Sequence, residues 1–172
     1  MAQNERLRKH LNYLYLNVRL NAFPGTETWA RVGKSTEWTD TMNVQTTIFD
    51  YIEDSSPTEI IEHYQPVTSM PLRAYEGDPI YEYVFELYRN QEVGGAAHSR
   101  MLRVFQSRTD NGERFKAQRC DCTVTIDNFN FATGVVTFNI KQNGSPRMGG
   151  AAILEDLDTQ GNLILRPEFT PD

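Results

Sequence analysis

Apolar and polar residues alternate with a period of two along much of this chain, and this alternation restricts its fold more than any other feature. Val136, Phe138 and Ile140 form the clearest case, because polar residues occupy positions 137, 139 and 141. The same rhythm recurs at 14–20, 42–48, 102–104 and 120–126. Successive side chains of a strand point to opposite faces of a sheet. Each of these segments is therefore predicted to be a strand with one face in a core.

One segment has helical periodicity instead. Apolar residues at 80, 84, 87 and 88 follow the spacing of one helix face. Asp78 is placed to cap the free amides, and Pro79 suits the first helical position because its missing N–H needs no partner there. Gly94-Gly95 is expected to end this helix.

Turn residues between Ile126 and Val135 predict a hairpin that joins the last two alternating segments. With one helix among several strands, the predicted fold is mainly β. It is an antiparallel β-sandwich, or partly closed barrel, with one flanking α-helix at about 78–90. A chain of 172 residues without an evident linker or repeat is expected to form a single domain spanning 1–172.

The segment 50–69 lacks a clean period. Its first half is acidic and rich in turn residues, and apolar residues follow at 60, 61, 64 and 67. We expect a long loop there, at about 52–69. Long loops that keep apolar residues usually dock on another surface.

Charge is distributed in blocks along the chain. From Ser35 to Glu92 there are 12 acidic and 2 basic residues, a net of −10, whereas 93–150 has 8 basic and 4 acidic residues, a net of +4. Blocks of opposite charge allow copies of a protein to attract each other. Solvated blocks on a monomer are the alternative interpretation. The candidate counter-surface for the acidic block consists of Arg100, Arg103, Arg108, Arg114, Lys116 and Arg119.

The sequence contains no evident catalytic or metal-binding constellation. The three histidines, at 10, 63 and 98, lie in different segments. Cys120 and Cys122 lie on the apolar side of an alternating segment, so buried thiols are expected rather than a disulfide or a zinc site. The glycine-rich stretch 143–150 lacks the ending of a phosphate-binding loop and is expected to connect two strands. We therefore expect no enzymatic activity, no cofactor and no metal.

Bulk properties argue against two further classes. A pI near 5.1 disfavours tight DNA binding, because much of the surface would repel phosphates. No apolar run approaches the roughly 20 residues of a membrane span, and the start of the chain is polar and basic. We expect no membrane association, and a protein kept in the cytosol or in something assembled there.

Eight stretches of the sequence follow one another in an order that is typical of one family. They are Trp29-Ala30-Arg31-Val32-Gly33-Lys34, the predicted strand from Thr36 to Thr46, Asp50-Tyr51-Ile52, Tyr64-Gln65-Pro66, Gly77-Asp78-Pro79-Ile80-Tyr81-Glu82-Tyr83, Glu92-Val93-Gly94-Gly95-Ala96, Lys116-Ala117-Gln118-Arg119-Cys120-Asp121-Cys122 and Gln142-Asn143-Gly144-Ser145-Pro146-Arg147-Met148-Gly149. In this order the chain resembles, across most of its length, the major tail tube protein of long-tailed, siphovirus-type bacteriophages. Ser145 departs from the late turn of that family, where an acidic residue is common.

The resemblance implies hexameric rings that stack head to tail into a hollow tube. DNA would pass through the lumen without specific binding, and the tape-measure protein, tail terminator and distal tail proteins would be partners. The location would be the tail of a virion assembled in host cytoplasm. The loop at 52–69 and arms at about 1–10 and 165–172 would reach the neighbouring ring. The residues of the inter-ring loop would be Ile52, Glu53, Asp54, Glu59, Ile60, Ile61, Glu62 and Tyr64.

Two alternatives remain open at this point. A tail terminator or head–tail joining protein would share the fold but form a single ring. A β-sandwich module that binds carbohydrate would use a platform of exposed aromatic residues, for which Tyr13, Tyr15, Trp29 and Trp38 are candidates.

Overall fold

The computed structural model describes residues 12–18, 27–53, 55–110, 114–157 and 163–172, with only the backbone described at 106–110, 153–157 and 163–166. The predicted arm at 1–10, residue Asp54 and the side chain of Arg108 therefore lie outside the described residues. The elements are β1 Asn12–Asn17, β2 Trp29–Arg31, β3 Thr39–Thr41, β4 Val44–Phe49, β5 Thr58–Tyr64, β6 Val67–Arg73, α1 Pro79–Asn90, a 3-10 turn Gly94–Ala97, β7 His98–Asp110, β8 Arg114–Asn130, β9 Val135–Leu157 and β10 Leu163–Pro171.

The predicted mainly β, antiparallel fold with one helix is confirmed. In the described part of the chain, one sheet has the order β2-β1-β7-β8-β9-β6-β3, and β10 pairs with the far part of β9. The sheet is not closed into a barrel, because β2 and β3 are the two ends of this path and do not pair. A separate two-stranded sheet consists of β4 and β5.

Both faces of the sheet carry buried residues. The helix-side core lies under α1 and contains Leu72, Cys122, Val136, Phe138 and Ile140 among others. A smaller opposite core contains Tyr15, Leu102, Val104, Ala117 and Ala151. Strand β1 therefore contributes to both cores, with Leu14 and Leu16 on one face and Tyr15 on the other. The expectation that each strand buries only one face is wrong for β1, which lies between β2 and β7 inside the sheet.

Helix α1 begins where the sequence predicts. The Asp78 side chain accepts hydrogen bonds from the Ile80 and Tyr81 amides at 2.9 and 3.1 Å. The helix ends at Asn90, as predicted, but Gln91 caps it, in a left-handed conformation with φ of 51°. Gly94 and Gly95 belong to the following 3-10 turn instead. Ile80, Tyr83, Val84 and Leu87 are buried against the sheet, so one helix closes the helix-side core.

Two segments expected to be irregular are strands. The predicted loop at 52–69 contains β5 and the first residues of β6, and β6 is a sheet strand with Thr68, Met70 and Leu72 buried. The predicted arm at 165–172 belongs to β10, which is paired with β9 up to Pro171↔Gly149. These segments are strands because pairing partners, rather than local alternation, extend them. Their contact with a neighbouring copy stays a prediction.

The glycine-rich stretch 143–150 lies within β9 and does not connect two strands. Strand β8 pairs Arg119 with Arg147 and Asp121 with Asn143, so four positions of β9 match two of β8. Residues 144–146 form a bulge in this ladder, and Gly144 has a φ of +68°. A bulge locally bends a strand and redirects its side chains.

Candidate assembly interface

The hairpin of β4 and β5 extends the edge of the sheet outward. Strands β3 and β6 pair up to Thr41↔Val67, and the hairpin pairing begins at Val44↔Tyr64. Between these ladders, the Gln65 amide donates to the carbonyls of Met42 and Asn43 at 3.1 and 3.2 Å. Asn43 has a φ of 43°, a left-handed conformation that asparagine tolerates better than most residues. The base of the hairpin is therefore fixed to the sheet, while its strands pair only with each other.

The hairpin is unusually apolar for an exposed element. Of 14 exposed large apolar side chains among the described residues, nine lie between 42 and 64. The register places Val44 opposite Tyr64, Thr46 opposite Ile61 and Ile48 opposite Glu59, so one face carries four apolar side chains. A two-stranded hairpin is at best marginally stable alone in water. Contiguous exposed apolar surface of this kind marks an interaction site.

The described residues among the eight named for the inter-ring loop are all exposed. Ile52, in the turn, has a relative exposure of 104 %, and Ile48, which sequence reasoning placed on a core face, has 67 %. Both faces of β4 are in fact open, so the expectation of one buried face for 42–48 is wrong. Asp54 lies outside the described residues. The other predicted residues lie in the turn or on β5 and are Glu53, Glu59, Ile60, Ile61, Glu62 and Tyr64.

The predicted basic residues do not form one surface. Arg103 lies opposite Gln118 and faces the helix-side core, whereas Arg119 lies opposite Leu102 on the other face. Arg103 is 6 % exposed, and its Nη2 donates to Asp40 Oδ1 at 2.8 Å and to Thr68 Oγ1 at 2.5 Å. Arg114 and Lys116 are exposed on β8. Arg103 is thus paired within its own chain, to a carboxylate of the acidic block.

Arg100 and Arg119 meet on the opposite face. Arg100 donates from Nη1 to Glu27 at 2.5 Å and from Nε to Asp121 at 2.9 Å, and these hydrogen bonds raise the pKa of its guanidinium. Arg119 Nη1 lies 3.9 Å from Glu27. Arg100, Arg119 and Arg147 line one small cavity on this face, and the sequence analysis did not single out Arg147. Only the register at the bulge, which pairs Arg147 with Arg119, brings it there.

A larger groove of about 800 Å³ lies at the base of the hairpin. Its walls are the hairpin base and the bulge of β9, and its floor includes Arg103 and Gln142. Arg103 Nε and Gln142 Oε1 are buried without a hydrogen-bond partner among the described residues. A buried donor or acceptor without a hydrogen-bond partner lowers the free energy of unfolding. A molecule that supplied hydrogen bonds to these two atoms would restore that stability.

An aromatic patch lies where α1 meets the β8–β9 turn. Phe129 and Phe131 stack with centroids 4.3 Å apart, and Tyr88 contacts both rings. Tyr81 and Phe85 extend the patch along the helix. Phe131 and Tyr88 are exposed, so this is a second apolar surface on the described part of the chain, separate from the hairpin.

The two thiols are core groups, as predicted. Cys120 and Cys122 are buried and free. Burial raises the pKa of Cys120 to about 11 and that of Cys122 further. No group of three potential metal ligands occurs among the described residues. The helix of the described chain is too short and too polar to cross a bilayer.

The proposed carbohydrate platform does not exist as one surface. Tyr15 is fully buried in the opposite core, against which Tyr13 and Trp29 also pack. Trp38 packs against the helix-side core, on the other face of the sheet. Rings on two faces of a sheet cannot stack on one sugar, so these four residues do not support that alternative.

Comparisons with known proteins bear on the fold. No protein-family profile and no curated protein sequence matches the chain. Among solved structures, the tube-terminating cap of the anti-feeding prophage superposes with a TM-score of 0.51 at 9 % identity, over 88 % of this chain and 95 % of the cap chain. A chain of the anti-feeding prophage baseplate aligns with a TM-score of 0.45 at 8 % identity, over 85 % of this chain and 97 % of that chain. The chain therefore shares its fold with the tube-terminating cap of the anti-feeding prophage.

Proposed function

We propose that this protein is a structural subunit of a phage-like tail, and that copies of it form rings that stack into a tube. The observation that carries the proposal is the β4–β5 hairpin, an apolar two-stranded element that projects from the sheet edge without covering its own body. An element of this kind gains stability when a second copy covers it. The fold shared with the tube-terminating cap supports the same class of protein.

In the leading form of this proposal, the protein is the major tail tube subunit and its rings are hexameric. The hairpin then bridges from one ring to the next, and the lumen conducts DNA without binding it specifically. Tape-measure, terminator and distal tail proteins are its partners within the virion. Contacts of one surface with a different surface of the next copy close into rings or continue as filaments, depending on the rotation and shift between copies.

A second form is favoured by one comparison. The superposed structure is a cap that terminates a tube, and the alignment covers nearly all of it. A terminating ring would form on the end of a tube and would not continue it. Electron microscopy of the purified protein at increasing concentration separates the two forms, because a tube subunit gives long tubes and a terminating subunit gives isolated rings.

A hairpin replacement tests the proposal directly. Because the Gln65 amide already lies 3.2 Å from the Asn43 carbonyl, residues 44–64 can be replaced by two glycines without opening the base. We expect this variant to unfold cooperatively like the wild type but to form no tubes in electron micrographs. Tubes of normal length from the variant would contradict the role of the hairpin.

Point variants sharpen the same test. The double variant Ile48→Thr with Ile61→Thr keeps β-branched residues in both strands and removes apolar surface from one hairpin face. We expect assembly to require a concentration about tenfold higher or more, from the apolar area lost. Val93→Thr removes a comparable exposed apolar group elsewhere and should leave assembly unchanged. A wild-type protein that stays monomeric at all concentrations and salt levels would overturn the proposed function itself.

A further inference from the structure

Arg119 and Arg147 lie directly opposite each other on β8 and β9. Like charges at directly opposed positions destabilise a sheet, unless an anion lies between them. Arg100 adds a third guanidinium to the cavity of about 70 Å³ that these residues line with Asp121 and Ser145. The pairing depends on the bulge at 144–146, because an unbroken ladder would set a different residue opposite Arg119.

The charges of this cavity are incompletely balanced. The cavity is lined by three guanidinium groups and by the Asp121 carboxylate, and Glu27 pairs with Arg100 and Arg119 beside it, which leaves a net charge of +1. Both carboxylates already bond to Arg100. Arg147 is exposed and forms no ion pair with any described residue. Its planar fork of donors is therefore available, and that geometry suits a carboxylate.

We propose that the cluster of Arg100, Arg119 and Arg147 binds carboxylates on the hairpin turn of a second copy of this chain. This inference rests on the proposed function, and it names the surface that receives the hairpin. The turn between β4 and β5 presents exposed Asp50 and Glu53 beside the fully exposed Ile52. A protein with a net charge of −6 repels a polyanion such as nucleic acid, whereas its own acidic turn supplies the required anion locally.

The position of the cluster fits such a contact. Ser145 lines both the arginine cavity and the groove at the hairpin base, so the receiving cluster lies near the base. The donating turn lies at the far end of the hairpin, about 20 Å away for six paired residues. A contact between the tip of one copy and the base of the next joins two different surfaces. Such contacts repeat along an axis in one direction.

A charge exchange tests this pairing. Arg147→Glu and Glu53→Arg should each raise the concentration needed for assembly about tenfold or more, as expected for a close charge pair. The double variant, which restores opposite charges, should assemble near the wild-type concentration. Lys116→Glu makes the same charge change on the other face of the sheet and should have little effect. Sedimentation measures the assembled fraction, and urea unfolding verifies that each variant is folded.

A second readout detects proximity without relying on charge. Cysteines introduced as Ser145→Cys and Ile52→Cys in one chain should form disulfides between copies on oxidation, and a ladder of linked chains should appear on a denaturing gel. A pair made as Ser145→Cys with Val93→Cys should not. The native thiols are buried and do not interfere.

The outcomes separate this inference from the proposed function. If the wild type assembles and needs its hairpin, but Arg147→Glu assembles normally and no ladder forms, only the receiving site is refuted. If labelled duplex DNA binds the wild type and Arg147→Glu removes that binding without changing assembly, the cluster is a phosphate site and this inference is overturned. If the wild type never assembles, the proposed function fails as well.

Discussion

At the scale of single residues, Arg103 shows what alternation can and cannot predict. Its position on a strand is evident from the pattern, but its partner Asp40 is 63 positions away. The pattern therefore placed Arg103 on a basic surface, whereas the sheet buries it against Asp40 and Thr68. The core residues Val136, Phe138 and Ile140 were predicted correctly because burial of an apolar side chain needs no specific partner.

The buried side chains of Cys120, Cys122 and Tyr83 make the free energy of unfolding depend on pH in the alkaline range. Burial raises the pKa of Cys120 to about 11 and of Tyr83 to about 12, and it raises that of Cys122 as well. As pH rises above about 9, the unfolded chain loses these protons before the folded chain does. The unfolded state is then favoured, so these groups should make the free energy of unfolding fall as the pH rises above about 9.

Urea unfolding between pH 7.5 and 10.5 measures this slope. Each buried thiol should contribute up to about 1.4 kcal/mol per pH unit within its window. Cys122→Ala should therefore flatten the curve above pH 9, apart from its own constant effect on stability. An identical alkaline slope in that variant would contradict the attribution to the thiol.

At the scale of elements, helix α1 was predictable and the β4–β5 hairpin was not. The helix carries its own signals, with Asp78 and Pro79 at its start and a 3.6-residue period after them. The hairpin lacks comparable signals, since its apolar residues lie on both faces and a bulge shifts the register between Gln45 and Thr46. Exposed apolar residues read as core positions in a sequence, so Ile48 was assigned to a buried face. Only the surrounding structure distinguishes a core strand from an exposed apolar strand.

The pairing of β10 with β9 depends on the absence of a side chain at Gly149. A Cβ atom there would lie 2.9 Å from two ring carbons of Phe169 and closer still to the Thr170 carbonyl oxygen. We expect Gly149→Ala to lower the free energy of unfolding by about 1–3 kcal/mol, because backbone must move to admit the methyl group. Gly33→Ala is the matched control, since nothing lies within 4 Å of its Cβ position. Equal stabilities of the two variants in urea would contradict this account of the close approach.

At the scale of the whole molecule, the charge blocks of the sequence are partly reorganised by the fold. The acidic block supplies Asp40 to an internal ion pair, while Asp50 and Glu53 remain exposed on the hairpin turn. The basic residues divide between the two faces of the sheet. The sequence therefore suggested one basic surface, whereas the strand register, which decides which residues are neighbours, divides these residues between two faces.

A contact from tip to base predicts that a subunit without its hairpin ends growth. Such a subunit would still receive a hairpin but would offer none to the next copy. The replacement of residues 44–64 by two glycines, mixed with wild type at about one part in ten, should shorten tubes seen by electron microscopy. The same replacement combined with Arg147→Glu should shorten them much less, because that subunit neither offers nor receives. Equal shortening by both variants would argue against a directional contact.

The junction at Asn43 is the point about which the whole hairpin would rotate relative to the sheet. Met42 and Asn43 on one side, and Gln65 and Pro66 on the other, form a narrow pivot between the sheet and the projecting strands. With an arm of about 20 Å, a rotation of about 10° at the pivot would carry the turn through about 3.5 Å. That distance is comparable to the length of a hydrogen bond. The backbone angle at a single asparagine would thus set the spacing and curvature with which successive copies follow one another.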